Sequence, residues 1–326
     1  MYLKKICTCI LCFVSVLSTA CYSEDKTKIV FLHGGKSHKP GDHEFTAGAI
    51  LLSRALNEQS GLPVEVVTHK NWPDDESILE GAAAVIFYND ATKIVEQGWE
   101  KVDALADKGV GLMFIHYAVH PNKDKGLEYF APWIGGFMET GYSVNPHWVA
   151  DLYGKPDHPV SNGVTYPVRT LDEYYYLMRF PKDLPGERHD LIIATPCKEC
   201  FHRTNNLWTE AGEKAVGTEQ TLMWGYERPN GGRGVGFTGG HYHRNWAVDD
   251  FRKNVLNAIV WVAGMEVPEQ GVQSLQISEA TLNENLDGVP RTPLRVPTDE
   301  ELDSLSDAKN LLTFKEWSER RKKRNR

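Results

Sequence analysis

The sequence predicts an α/β fold built on a parallel sheet, and three observations predict it. Apolar runs alternate with stretches of helical periodicity, the runs are continuous rather than period-two, and the connections between them are short. Lys28 to Gly35 is the first such run, a strand ending in a glycine turn. Phe45, Ala49, Leu52 and Leu56 then recur at helical spacing, giving a helix over about 43–59 that Gly61 and Pro63 stop. Val64 to Thr68 and Ala83 to Tyr88 are the second and third strands, with Asn89 and Asp90 placed to cap the second helix. Val95, Trp99, Val102 and Ala106 share one face of that helix, and Val110 to Ile115 is a fourth buried strand. From Pro121 to Cys200 the rhythm breaks into a stretch rich in Gly, Pro, Tyr and Trp, read as an insertion over the sheet ends with short strands such as Leu191 to Ala194. Gly234 to Gly239 is a late strand, and Val248, Phe251, Val255, Ile259 and Val262 mark a closing amphipathic helix. The division expected is a leader over 1–23, one domain over 28–266 and a C-terminal extension over 267–326, loosely attached and holding one or two short helices.

Composition narrows the partners. The chain has 326 residues and a formal net charge of −8; cutting after residue 20 removes Lys4 and Lys5 and no acid, taking it to −10. Such a surface is a poor polyanion binder, so nucleic acid is not an expected partner. Lys4 and Lys5, the apolar run Ile6 to Leu17 and the small residues Ser18 to Ala20 read as a secretory signal, which places the mature protein in the periplasm or outside the cell. Cys21 follows the small residues directly, so lipid attachment there is an alternative to simple secretion, and the only membrane contact expected. With Cys7, Cys9 and Cys12 in the leader, only Cys197 and Cys200 remain in the body. They form a local disulfide, a pair of idle thiols, or part of a metal site with His202.

In open α/β sheets ligands bind at the carboxyl ends of the strands. Those ends carry His33-Gly34-Gly35, Asn89-Asp90 and His116-Tyr117, with His38, His43 and Glu44 around the first connection and His241 and His243 after the late strand. Imidazoles delivered to one edge from separate segments suit metal ligation or proton transfer. His38, His43, His116 and His241 are therefore the candidate ligands of one divalent ion, zinc or manganese. The cluster Asp172-Glu173-Tyr174-Tyr175-Tyr176 supplies a carboxylate among aromatics. His116, Glu173 and Glu44 are the candidate catalytic groups. His147, Trp148, Tyr175, His241 and His243 are candidates for holding a sugar by aromatic faces and hydrogen bonds. No P-loop, dinucleotide fingerprint or G-x-S-x-G elbow occurs, so no nucleotide cofactor and no serine nucleophile is expected.

The runs GGKSHKPGDHEFTAGAILL, GLMFIHYAVH, SVNPHW, DHPVSNGV, TLDEYYYLMRF and GGRGVGFTGGHYHRNW resemble the ThuA-like family, named for trehalose utilisation, over about 28–266. The resemblance implies a flavodoxin-like, class I glutamine amidotransferase-like fold and a disaccharide, glycoside or keto-sugar derivative as the small-molecule partner. It also implies where a nucleophilic cysteine would stand in such amidotransferases, after GLMFI; His116 stands there instead, so glutamine hydrolysis is not expected. Relatives often read Y-A-V-E where this chain has Tyr117-Ala118-Val119-His120, which sets His120 apart from that pattern. An isomerase, lyase or hydrolase of sugars and a non-catalytic sugar-binding protein on the same scaffold are both compatible with these residues.

Overall fold

Ten strands form one sheet in this computed structural model, which describes residues 25–324. The expectations about the leader and Cys21 lie outside those residues. The strands are β1 (Thr27–His33), β2 (Val64–Lys70), β3 (Ala84–Tyr88), β4 (Gly111–Ile115), β5 (His147–Gly154), β6 (Val168–Asp172), β7 (Glu187–Ala194), β8 (Phe201–Arg203), β9 (Gln220–Glu227) and β10 (Arg233–Phe237). Their order is β2-β1-β3-β4-β10-β9-β7-β5-β6, with β8 paired to β5. Pairing is parallel from β2 through β10 and antiparallel from β10 onward.

The parallel half follows from continuous apolar runs. Ile29 and Phe31 pack into the core under helix α1 (Phe45–Arg54) and the closing helix Asp249–Val262, while Val30 and Leu32 pack on the opposite face under α2 (Trp99–Asp107) and the segment 126–134. Period-two side chains thus bury both faces, and each fully buried Ile or Phe contributes about 1.5–3 kcal/mol. Helix α1 runs on into a π-helical turn, Ala55–Gln59.

Two expectations change here. The stretch 121–200 is more than an insertion over the sheet ends: β5, β6 and β7 extend the sheet itself as its antiparallel half. The C-terminal extension is firmly attached. Val272, Ile277, Leu282 and Leu302 are buried, and the backbone N–H of Val272 donates to Asn257 in the closing helix. It holds helices Glu279–Leu282, Asp299–Leu305 and Phe314–Arg324. Its apolar residues are too sparse for a periodic signal, yet Val272, Ile277 and Leu282 join the main core.

Candidate metal centre

Three connections at the carboxyl ends of the parallel strands carry the histidines. The turn before α1 presents His43 and the turn after β4 presents His116, both held in the left-handed region at φ 51° and 56°. Non-glycine residues adopt that conformation at a cost, and it persists where the surroundings dictate it. His241 follows β10 after Gly239 and Gly240; Gly240 sits at φ 110°, and a Cβ there would press on Ile115. Asp172 at the end of β6 accepts the backbone N–H groups of Gly240 and His241 and so fixes that turn.

Hydrogen-bond chemistry sets the tautomers. The Thr238 carbonyl can only accept, so His116 Nδ1 donates to it at 2.8 Å and, in the neutral ring, Nε2 is the nitrogen that keeps the lone pair. Asp90, held well below the usual carboxylate range against its burial by His43 and Lys93, accepts from His43 Nδ1 at 3.2 Å. His43 is neutral, because burial pushes it down to about 3, and its Nε2 also keeps a lone pair. The two Nε2 atoms stand 3.0 Å apart in a buried site. Glu173 Oε2 lies 3.5 Å from His116 Nε2 and 3.1 Å from His241 Nδ1. One donor atom from each of His43, His116, Glu173 and His241 lies within 4.8 Å of the other three.

Tetrahedral zinc with bonds of 2.0–2.1 Å spaces its ligand atoms by about 3.3 Å, and the separations of 3.0, 3.5 and 3.1 Å lie near that spacing. Two facing lone pairs repel unless a cation lies between them. His241 is placed between two carboxylates: Asp42 and Glu173 flank its ring, although neither buried ring nitrogen has an aligned hydrogen bond. Burial disfavours its charge, but those carboxylates outweigh burial and raise it to about 9. Glu173 is likewise kept ionised, far below its usual value, because the charge of neighbouring His241 overcomes its burial. The carboxylate behind His43 and the carbonyl behind His116 are the kind of outer contacts that orient metal-binding imidazoles.

The remaining sequence candidates fall in different places. Tyr175 joins the cluster, its hydroxyl 3.1 Å from His116 Nε2. His38 lies at the exposed rim, its ring 3.7 Å from that of His43, and forms a second potential ligand group with His43 and Asp90. His147 is buried behind Glu173: Arg203 donates to its Nε2 at 2.7 Å and Tyr242 contacts its Nδ1 at 2.9 Å, leaving nothing for a sugar. Trp148 is a core residue rather than a sugar platform, because strand alternation turns it to the opposite face from His147, where it packs on Tyr174, Tyr176 and Phe201. Glu44 is not available as a catalytic base. Its Oε1 accepts from Gly41 N and its Oε2 from Asp287 N of the C-terminal extension. His243 is buried beside Leu282 of the same extension, apart from the cluster. Cys197 and Cys200 form a disulfide, so neither thiol serves a metal with His202.

Asp90, Asp42, Asn145 and Asn205 are contributors that sequence reasoning missed. Asn145 donates to Glu173 Oε1 at 3.0 Å and Asn205 donates to the same oxygen. Asp90 had a visible signal in its place at the end of β3; Asn205, on an irregular loop, had none. A cavity of about 280 Å³ opens onto the cluster past His43, Glu173 and Tyr175, with Tyr117, His120 and Asn205 also on its walls. His120 bonds Thr140 at 2.8 Å, and burial lowers it to about 4.

A family model described as ThuA, trehalose utilisation, matches residues 29–262. Among solved structures, a ThuA-like protein from Parabacteroides merdae aligns at 16% identity over 77% of this chain and 98% of its own, with a TM-score of 0.52. A ThuA-like protein from Bacteroides uniformis aligns at 16% identity over 75% and 94%, with a TM-score of 0.50. No curated protein matches the sequence.

Proposed function

From a chain that belongs to the ThuA, trehalose-utilisation family, we propose an exported enzyme that processes a disaccharide, glycoside or keto-sugar derivative with one divalent ion, zinc or manganese. His43, His116, Glu173 and His241 would hold the ion. The reading rests on His43 Nε2 and His116 Nε2, 3.0 Å apart, the nitrogens that Asp90 and Thr238 leave turned to the site by engaging the other nitrogen of each ring. When bound, such an ion supplies Lewis acidity that polarises a sugar carbonyl and stabilises charge developing on its oxygen.

The chain's own groups supply the rest. The cavity of about 280 Å³ takes one sugar ring, with Tyr175 and Tyr117 on its walls. His38 is the exposed imidazole at its rim, and burial with the neighbouring His241 keeps it mainly neutral at pH 7. It is positioned to accept the proton α to a carbonyl, a role that Glu44 cannot fill. Glu173 is ionised, and Asn145 and Asn205 hold its Oε1 while Oε2 faces the histidines.

The test is turnover of keto-disaccharides, followed by product mass, with metal-loaded and chelator-stripped protein. Metal-dependent conversion that His116→Ala abolishes is the expected result. Sugar binding without conversion in the loaded protein would make this a sugar-binding member of the family instead.

A further inference from the structure

A second cavity, of about 550 Å³, adjoins the first through a shared wall, Asn205 and Asn206. Its other lining residues include Arg203, Trp317, Arg320, Arg321 and Arg324, so four guanidinium groups converge on one concavity of a chain whose net charge is −8. Three of them come from the C-terminal helix Phe314–Arg324, the basic end that the proposed chemistry leaves without a role. The helix is docked, not merely adjacent. Trp317 Nε1 donates to the Asn205 carbonyl at 2.8 Å, Arg321 donates to the Asn206 carbonyl at 3.0 Å, and Leu312 N donates to Thr204 Oγ1 at 3.1 Å. The loop beneath it is the one whose Asn205 side chain holds Glu173. Among the described residues none of the four arginines forms a salt bridge with a carboxylate. Glu316, one turn before Arg320 in the helix, is turned to Thr313.

We propose that this cavity is a subsite for an oxyanion, a carboxylate or a sulfate, carried by the part of the saccharide that extends beyond the metal pocket. Guanidinium groups match such oxyanions with paired donors. Arg203 lines the subsite and donates to His147 behind Glu173. The inference names the substrate class of the proposed reaction and rests on that reading for the sugar, but its charge preference needs no metal.

The test therefore measures binding rather than turnover. Calorimetry on the full mature chain, stripped of metal by chelator, compares a neutral disaccharide, its glucuronate-terminated counterpart and its sulfated counterpart. Wild type should bind at least one acidic sugar about tenfold more tightly than the neutral one. The double variant Arg320→Gln, Arg324→Gln should reduce that preference to about twofold or less while neutral binding is unchanged; neither side chain anchors the helix, so folding is preserved. Equal affinities in wild type, or a preference that survives the double variant, would overturn the subsite. So would arginine-dependent binding to phosphatidylglycerol vesicles without any preference among the sugars. Failure of metal-dependent turnover alone would leave this result standing and would sink only the reaction.

Discussion

The two halves of the sheet contribute differently to the same site. The parallel half, β2-β1-β3-β4-β10, delivers His43, His116 and His241 from three turns at its carboxyl edge. The antiparallel half, β9-β7-β5-β6, delivers Glu173 and the groups that hold it, Asn145 and Asn205. Imidazoles come from one side and the carboxylate from the other, so the cluster exists only where the halves meet. A site at a seam demands that both halves be fixed independently, and the buried aromatics of each half do this.

Breaking one half as a structure should have the largest effect. Trp148 is fully buried among Tyr174, Tyr176 and Phe201, and Trp148→Ala should cost about 3–5 kcal/mol in chemical denaturation. A loss below about 1 kcal/mol would mean that this half is not a packed core. Removing its charge comes next. Glu173→Gln keeps the shape but should weaken metal binding by at least about 100-fold in competition with a chelator, since even outer contacts cost 10–100-fold. On the parallel side Asp90→Asn removes only the carboxylate behind His43, so a loss of about 10-fold is expected. Equal losses for Glu173→Gln and Asp90→Asn would erase the distinction between ligand and support.

The pH dependence sharpens the same contrast. In metal-free protein His241 is raised to about 9, so its contribution to stability is complete below its unfolded value near 6.5 and is lost as pH rises through about 9. Glu173 is depressed, so its contribution is present above its unfolded value and disappears only in acid. Thermal midpoints of stripped protein should therefore fall between about pH 7 and 9.5, and His241→Gln should flatten that fall. An ion that replaces the proton on His241 should bind more tightly as pH rises, which is the opposite trend.

The same division explains what could be read in advance. Strands β1, β3 and β4 are continuous apolar runs buried on both faces, so their limits agree with expectation to within a residue or two. Strand β7 (ERHDLIIA) mixes exposed and buried positions, and β9, though mostly buried, went unread. Histidines at strand ends pointed to the cluster because a parallel sheet aligns those ends. Glu44 misled because its decisive partner, Asp287, is 243 residues away in sequence. Trp148 misled for a local reason: two neighbours in a strand cannot face the same side. Membership of the ThuA family was legible from the ordered motifs, and the family match over 29–262 agrees with them.

The central claim is that His43, His116, Glu173 and His241 form a metal centre at the seam. Its most direct test is elemental analysis of the purified mature chain after gentle reloading, beside His116→Ala and a control, His243→Ala. The account predicts about one divalent ion per chain in wild type and in the control, and none in His116→Ala. Wild type without metal, or His116→Ala retaining a full equivalent, would contradict it.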